Sequence, residues 1–387
     1  MFHEVYIGFI GSSIIVFSFV SNMRNFLFWI IAIGFFSLVA CNKEANEEDI
    51  LEDEEILDND EQKNNTADGN KNGNNTTNPN NNDNSNKIDS TIWRSYKDSF
   101  CLGSYKDSTY WLSYRSDSNH VTVEEWVPDG SGSLQGFDVF GDYLFGFFLS
   151  LRDVKISDLR NRKCLGLFPS GMDVVYSRHA NCQNFTSSYY SDEDLIPLLL
   201  VSGNESRDGV DLRGVSYLMR LKVEGSSFKA ELAQTISTVP GTYLDTDGKE
   251  YSFGLYNNIM VDRETGHFYV INGSSIYEME QPALFDGSGR VISEAELTVE
   301  KVIRRIGFKY KSPSAQGACI NNGLAYIASG TGKGYLQVVD LSSGKELKSF
   351  YLPDIGYELE PEDIAFWRSS MILSGGVSRG IYRVYWE

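Results

Sequence analysis

From about Thr91 to its end the chain reads as an all-β fold made of one repeated unit, on three observations. First, runs of four to seven β-branched or aromatic residues recur, as at residues 110–113, 121–126, 198–202, 217–222, 267–271 and 381–386. Gly, Asn, Asp and Ser separate them, so each run suits a pleated strand and each separator a turn. Second, no long stretch carries the 3.6-residue apolar period of a packed helix. Third, the chain repeats itself. Gln135-Gly136 opens a segment that lines up with the one opened by Gln316-Gly317, and each ends a third strand on Asp-Leu, at Asp158-Leu159 and Asp340-Leu341. Four short strands recurring every 35 to 50 residues or so predict a β-propeller of about six four-stranded blades, with five or seven as alternatives.

Taken in chain order, residues 1–22 read as an upstream extension, with Met23 as the true initiator. Residues 23–40 resemble a bacterial lipoprotein signal peptide. Arg24 supplies the basic start, residues 26–39 the apolar run, and Leu38-Val39-Ala40 the small-residue approach to Cys41, which receives lipid in such proteins. The apolar run is about 14 residues, short for a bilayer span and right for a signal peptide. Residues 41–90 do not read as a fold. Eleven acids from Glu44 to Glu61 face only Lys43 and Lys63, which places about half of the formal charge of −19 here. The Asn-rich stretch that follows has no apolar period. Such a segment buries too little to offset its ordering entropy, so a disordered tether is expected. Its acidic start resembles the surface-export signal of Bacteroidetes lipoproteins.

Residues 91–387 carry the expected propeller. Beyond the two clear copies, weaker units run from Phe100 to Trp126, from Asp173 through residues 228–232, from Asn257 through Glu278, and from Glu362 to the end. The last lacks a clear fourth strand, which residues 92–96 are expected to supply, closing the ring and hiding its edges. The whole layout resembles the β-propeller lipoproteins of Bacteroidetes. At residue level the resemblance rests on Gln-Gly at the blade start and on Glu360-Pro361-Glu362-Asp363-Ile364. It implies a lipid-anchored protein of the outer membrane, exposed at the cell surface, and it implies no particular activity.

Outside the acidic run the charge balance is only modestly negative, which argues against a nucleic-acid partner. No His or Cys pair has metal-ligand spacing, and no catalytic serine, phosphate-loop or nicotinamide motif is present, so no metal and no cofactor are expected. Candidate sites follow from the repeat. In a propeller the innermost strand of each blade enters from one face, called the top here. The alignment puts Gln135, Asn257, Gln316 and Glu362 at equivalent entries, with Glu360 just before the last. Arg207, Arg213 and Arg379 fall in loops on the same face. Amides and carboxylates within a mixed-charge rim suit a glycan or a protein partner. Equally, the same side chains could bond the next blade's backbone and lock the ring. The alternative activity is a polysaccharide hydrolase or lyase using the mouth carboxylates. Cys164 is expected on an outermost strand and Cys182 in an insert of residues 177–194, both at the bottom, where they could form a disulfide in an oxidising compartment. His267 and most tryptophans read as ordinary structural residues.

Overall fold

A computed structural model describes residues 3–10, 13–20, 30–31, 90–100, 121–128, 134–148, 151–172, 180–203, 206–207, 210–211, 213–225, 227–254, 258–312, 314–375 and 380–386. The chain divides into two units, residues 1–81 and 82–387. In the first, His3–Ile10 pairs antiparallel with Ser13–Val20, which also meets Ile30–Ile31. Cys41, the acidic run and the Asn-rich stretch lie outside the described residues. Among the described residues, no helix is long and apolar enough to cross a membrane.

The second unit is a five-bladed propeller. Its blades have as innermost strands Gly136–Phe140, Ala180–Phe185, Asn258–Val261, Ala315–Asn321 and Pro361–Trp367. Each lies beside the innermost strand of the next blade, and the fifth lies beside the first. The first, third and fourth blades are antiparallel meanders of four strands. The second has a fifth strand, Glu294–Leu297, which pairs parallel with Ser227–Thr238.

Five apolar clusters fill the five spaces between blades. Strand periodicity explains how. Ile259 and Val261 face the second blade while Met260 faces the fourth, and Phe268 and Val270 oppose Tyr269 and Ile271 in the same way. A strand sandwiched between two blades is buried on both faces, so it reads as a continuous apolar run rather than an alternating one. The outermost strand of the first blade, Lys163–Pro169, has a free edge and alternates between exposed and half-buried residues.

Several expectations are corrected. There are five blades, one of the alternatives expected beside six, and the unit expected from Phe100 to Trp126 gives its described strand to another blade. That strand, Val121–Val127, pairs with Ile381–Trp386 and completes the last blade. Residues 92–96 do not supply that strand, because they lie in a helix, α1 (Ser90–Phe100). Trp93 and Tyr96 stand one helical turn apart, and both face the first two blades. Trp93 stacks on Tyr143 at 4.6 Å and meets Phe228 edge-on at 5.6 Å. Tyr96 donates to Asp142 Oδ2 at 3.0 Å, and Trp367 Nε1 donates to Asp142 Oδ1 at 2.9 Å. One carboxylate thus ties the helix, the first blade and the last together. In the second blade the innermost strand is Ala180–Phe185, not the expected residues 173–176, which lie outside the described residues. The third blade gains a fourth strand, Val302–Gly307, that the sequence reading left unassigned.

Trp93 is fully buried among five aromatic rings. Trp93→Ala should therefore cost about 3 to 5 kcal/mol, read as a lowered midpoint of urea unfolding. A loss under about 1 kcal/mol would show that α1 is not part of the folded unit.

Candidate functional site

Five innermost strands that diverge around an axis cannot pair with one another as a sheet does. Their inward backbone groups still need partners, because a buried N–H left unpaired costs about 1 to 3 kcal/mol. Side chains supply them. Asp363, fully buried on the fifth blade, accepts from Phe137 N at 2.8 Å, from Gln183 N at 3.1 Å and from Ile364 N at 2.8 Å. It therefore joins the fifth blade to the first and second. Asp138 on the first blade accepts from Phe185 N at 2.6 Å on the second and from the guanidinium of Arg263 on the third. Asn184 on the second blade donates to Ala318 O at 2.9 Å on the fourth and accepts from Val261 N at 3.4 Å on the third. Cys182 Sγ donates to Ala318 O at 3.2 Å. Burial pushes the Asp363 carboxyl well above its ordinary value, the three N–H groups pull against that, and Asp138 adds to the rise.

The close approach explains the Gln-Gly motif. A Cβ on Gly317 would fall 1.8 Å from Asp363 Oδ1, and one on Gly136 would fall 2.1 Å from Ala180 O. Glycine here admits a neighbouring blade rather than an unusual backbone angle.

At the top, Gln316, Glu360, Glu362 and Gln135 are all buried at the entries of the fourth, fifth and first blades. Gln316 Nε2 donates to Gly330 O at 3.1 Å within its own blade and to Glu360 Oε1 at 3.0 Å at the start of the next. That bond spans two blades, so for Gln316 and Glu360 the interblade role is realised. Asn258, next to the expected Asn257, donates to Gln316 O and links the third blade to the fourth. Tyr357, in the turn that leads into Glu360, has a buried hydroxyl with no hydrogen-bond partner among the described residues. Burial pushes its phenol well up, and Tyr382, Glu362 and Glu360 add to the rise. It stays a proton donor.

Other sequence candidates are placed less closely. Arg213 is half-buried in the turn before Val215–Glu224 and Arg207 lies in the short strand Ser206–Arg207. Asn257 and Arg379 lie outside the described residues. The expected Cys164–Cys182 disulfide is corrected, since the two are not bonded to each other. Cys164 sits on the outermost strand of the first blade, while Cys182 is on the innermost strand of the second, fully buried at the axis. The radius of the ring separates them. Trp93 and Trp367 are buried, as the sequence reading favours.

The sequence reading missed Asp138, Asn184, Gln183, Arg263 and Tyr357. A signal existed for Asp138, the one charged residue inside the otherwise apolar strand Gly136–Phe140, where a carboxylate is tolerated only when bonded. Gln183 is fully buried and neither amide atom has a partner among the described residues. Among the described residues, no cluster of three or more His, Cys, Asp or Glu is placed to hold a metal ion.

No protein-family model matches the chain, and no curated protein is significantly similar to it. Among solved structures, glutaminyl cyclase of Myxococcus xanthus matches with a TM-score of 0.42 and 11% identity, covering 69% of this chain and 96% of that one. That likeness is too distant to bear on activity.

Asp363→Ala would strand three buried N–H groups, so urea unfolding should show a loss of at least about 3 kcal/mol. A loss under about 1 kcal/mol would mean that the ring is not held this way. Because this carboxyl is raised, its contribution is full at acid pH and falls as pH rises above the ordinary carboxylate range. The stability gap between wild type and Asp363→Asn should therefore narrow as pH rises above the ordinary carboxylate range, read from urea unfolding at a series of pH values.

Proposed function

We propose that this protein is a lipid-anchored propeller of the cell envelope that binds a glycan or protein partner at its top face, held from the outer membrane through Cys41 and an acidic, Asn-rich tether. One observation carries the binding part. In the turn that leads into the fifth blade the Tyr357 hydroxyl is buried without a partner among the described residues, near the Glu360 and Glu362 carboxylates. Buried hydroxyls are normally satisfied, and this one is an exception, packed with the cluster between the fourth and fifth blades next to the entry carboxylates that a ligand would meet. The phenol donates, and the carboxylates accept from the hydroxyls of a sugar or the N–H groups of a peptide. Gln316 holds Glu360 by a 3.0 Å bond, which fixes it as an acceptor. That arrangement favours binding over the hydrolase or lyase reading, in which a mouth carboxylate must give and take a proton.

The anchoring rests on the sequence from Leu38 to Cys41. Labelling with a fatty-acid analogue should mark the wild type and not Cys41→Ser, and a labelled Cys41→Ser protein would refute the anchor. For the face itself, Tyr357→Phe is the cleanest probe. Removing an unpaired buried hydroxyl should leave stability unchanged or slightly raised. Signal on a glycan array, or capture of an envelope partner, should fall in Tyr357→Phe and in Glu362→Gln. Undiminished binding by both variants would rule out the top face as the site.

A further inference from the structure

The chain departs from the regular blade pattern after the third strand of the third blade, Ser275–Met279. There it leaves that blade and turns back through a bridge between Phe285 and Val291. It then adds Glu294–Leu297 to the second blade before returning as Val302–Gly307. The excursion is pinned. Gln234, fully buried on the second blade, donates through Nε2 to Ala283 O at 2.9 Å and to Ile292 O at 2.8 Å. Beneath it, on the bottom face, lies a cleft of about 510 Å³ between the second and third blades. That is within the size range of small-ligand sites.

Its walls combine hydrogen-bonding groups with an apolar side. Ser188, His267, Glu280 and Gln281 line it, together with Leu284 and Phe285. Phe285 is 38% exposed and its ring is steadied edge-on by Tyr190 at 5.6 Å. His267 is held from behind: Nδ1 lies 2.8 Å from Glu278 Oε1, and Arg304 Nε donates to Glu278 Oε2 at 2.8 Å. Burial raises the Glu278 carboxyl, but the bonds from His267 and Arg304 outweigh it and leave it below its ordinary value. An ionised Glu278 fixes the proton of His267 on Nδ1 and leaves Nε2 as the ring's other bonding atom. Ser188 Oγ donates to Gln281 Oε1 at 3.5 Å, so a hydroxyl and an amide stand together in one wall of the cleft.

We infer that this cleft is a second binding site, separate from the top face, and that it takes a neutral oligosaccharide. An imidazole nitrogen, an amide, a hydroxyl and a carboxylate within one wall match sugar hydroxyls, which both donate and accept. The half-exposed Phe285 ring and Leu284 match the apolar face of a pyranose. The exposed carboxylate of Glu280 disfavours an acidic sugar. The lining residues lie in turns and loops, and the segment that carries Gln281, Leu284 and Phe285 is held by the two Gln234 bonds and by the bridge between Phe285 and Val291.

The test uses the propeller-bearing full chain with cellotetraose, maltotetraose, mannotetraose and tetragalacturonate as probes, by titration calorimetry. At least one neutral probe should bind and tetragalacturonate should not. Phe285→Ala and Gln281→Ala should each weaken that binding about tenfold, as for loss of one stacking or hydrogen-bonding group. Both residues are partly exposed, so the melting temperature should hold. Tyr357→Phe should leave this binding unchanged, which separates it from the top-face reading. The inference is overturned if none of the neutral probes binds, if tetragalacturonate binds as well as they do, if the double variant binds like wild type, or if Tyr357→Phe abolishes binding while the cleft variants do not.

Discussion

The whole propeller depends on how its innermost strands satisfy one another. They stand side by side around an axis, yet they splay, so no sheet ladder joins blade to blade. The carboxylate of Asp363 solves this for three blades at once, accepting from the backbone of the first and second while belonging to the fifth. Asp138, Asn184 and Asn258 do the same around the rest of the ring. Once these bonds fix the spacing, the five apolar clusters between blades can pack, and the two faces of each central strand are both buried. The glycines of the Gln-Gly motif follow from the same constraint, because nothing larger fits where one blade's backbone approaches the next blade's acid.

Closure adds a second constraint. A ring of β-sheets is stable only when its last sheet is complete, since an open edge invites pairing with other chains. Here the completing strand comes from before the first blade, Val121–Val127, and is pulled onto Ile381–Trp386 by six backbone partners from Ile381 to Trp386. Helix α1 precedes it and packs its aromatic face over the seam of the first two blades. Asp142 accepts from Tyr96, Trp367 and Arg368, so the N-terminal helix and the last blade are held by one side chain. Chain ends far apart in sequence are thereby made to close one ring.

Candidate sites arise where this economy of bonds leaves something over. At the top, Gln316 and Glu360 are used between blades, whereas the nearby Tyr357 hydroxyl has no partner among the described residues. At the bottom, the excursion that lends a strand from the third blade to the second opens a walled cleft that a regular blade would lack. Both are departures from the repeat, and a repeat that is only structural has no need of either.

The sequence by itself determined the all-β class, the repeated four-stranded unit and the entry positions of Gln135, Gln316, Glu360 and Glu362. These are local properties, carried by strand-forming runs, turn residues and a repeat read directly along the chain. Helix α1 was also in reach, because Trp93 and Tyr96 are spaced one turn apart, but the need for a closing strand outweighed that signal in the reading. What only the tertiary structure decided is which residues meet. Cys182 looked peripheral in a long insert and is at the axis. Asp363 stood out only as part of the Glu360–Ile364 motif and is the most buried acid of the ring. Val121–Val127 looked like the end of the first blade and completes the last. Each of these depends on the radius at which a strand sits and on which blade lies beside it. Spacing along a chain carries neither, because the ring is set by the summed fit of five interfaces.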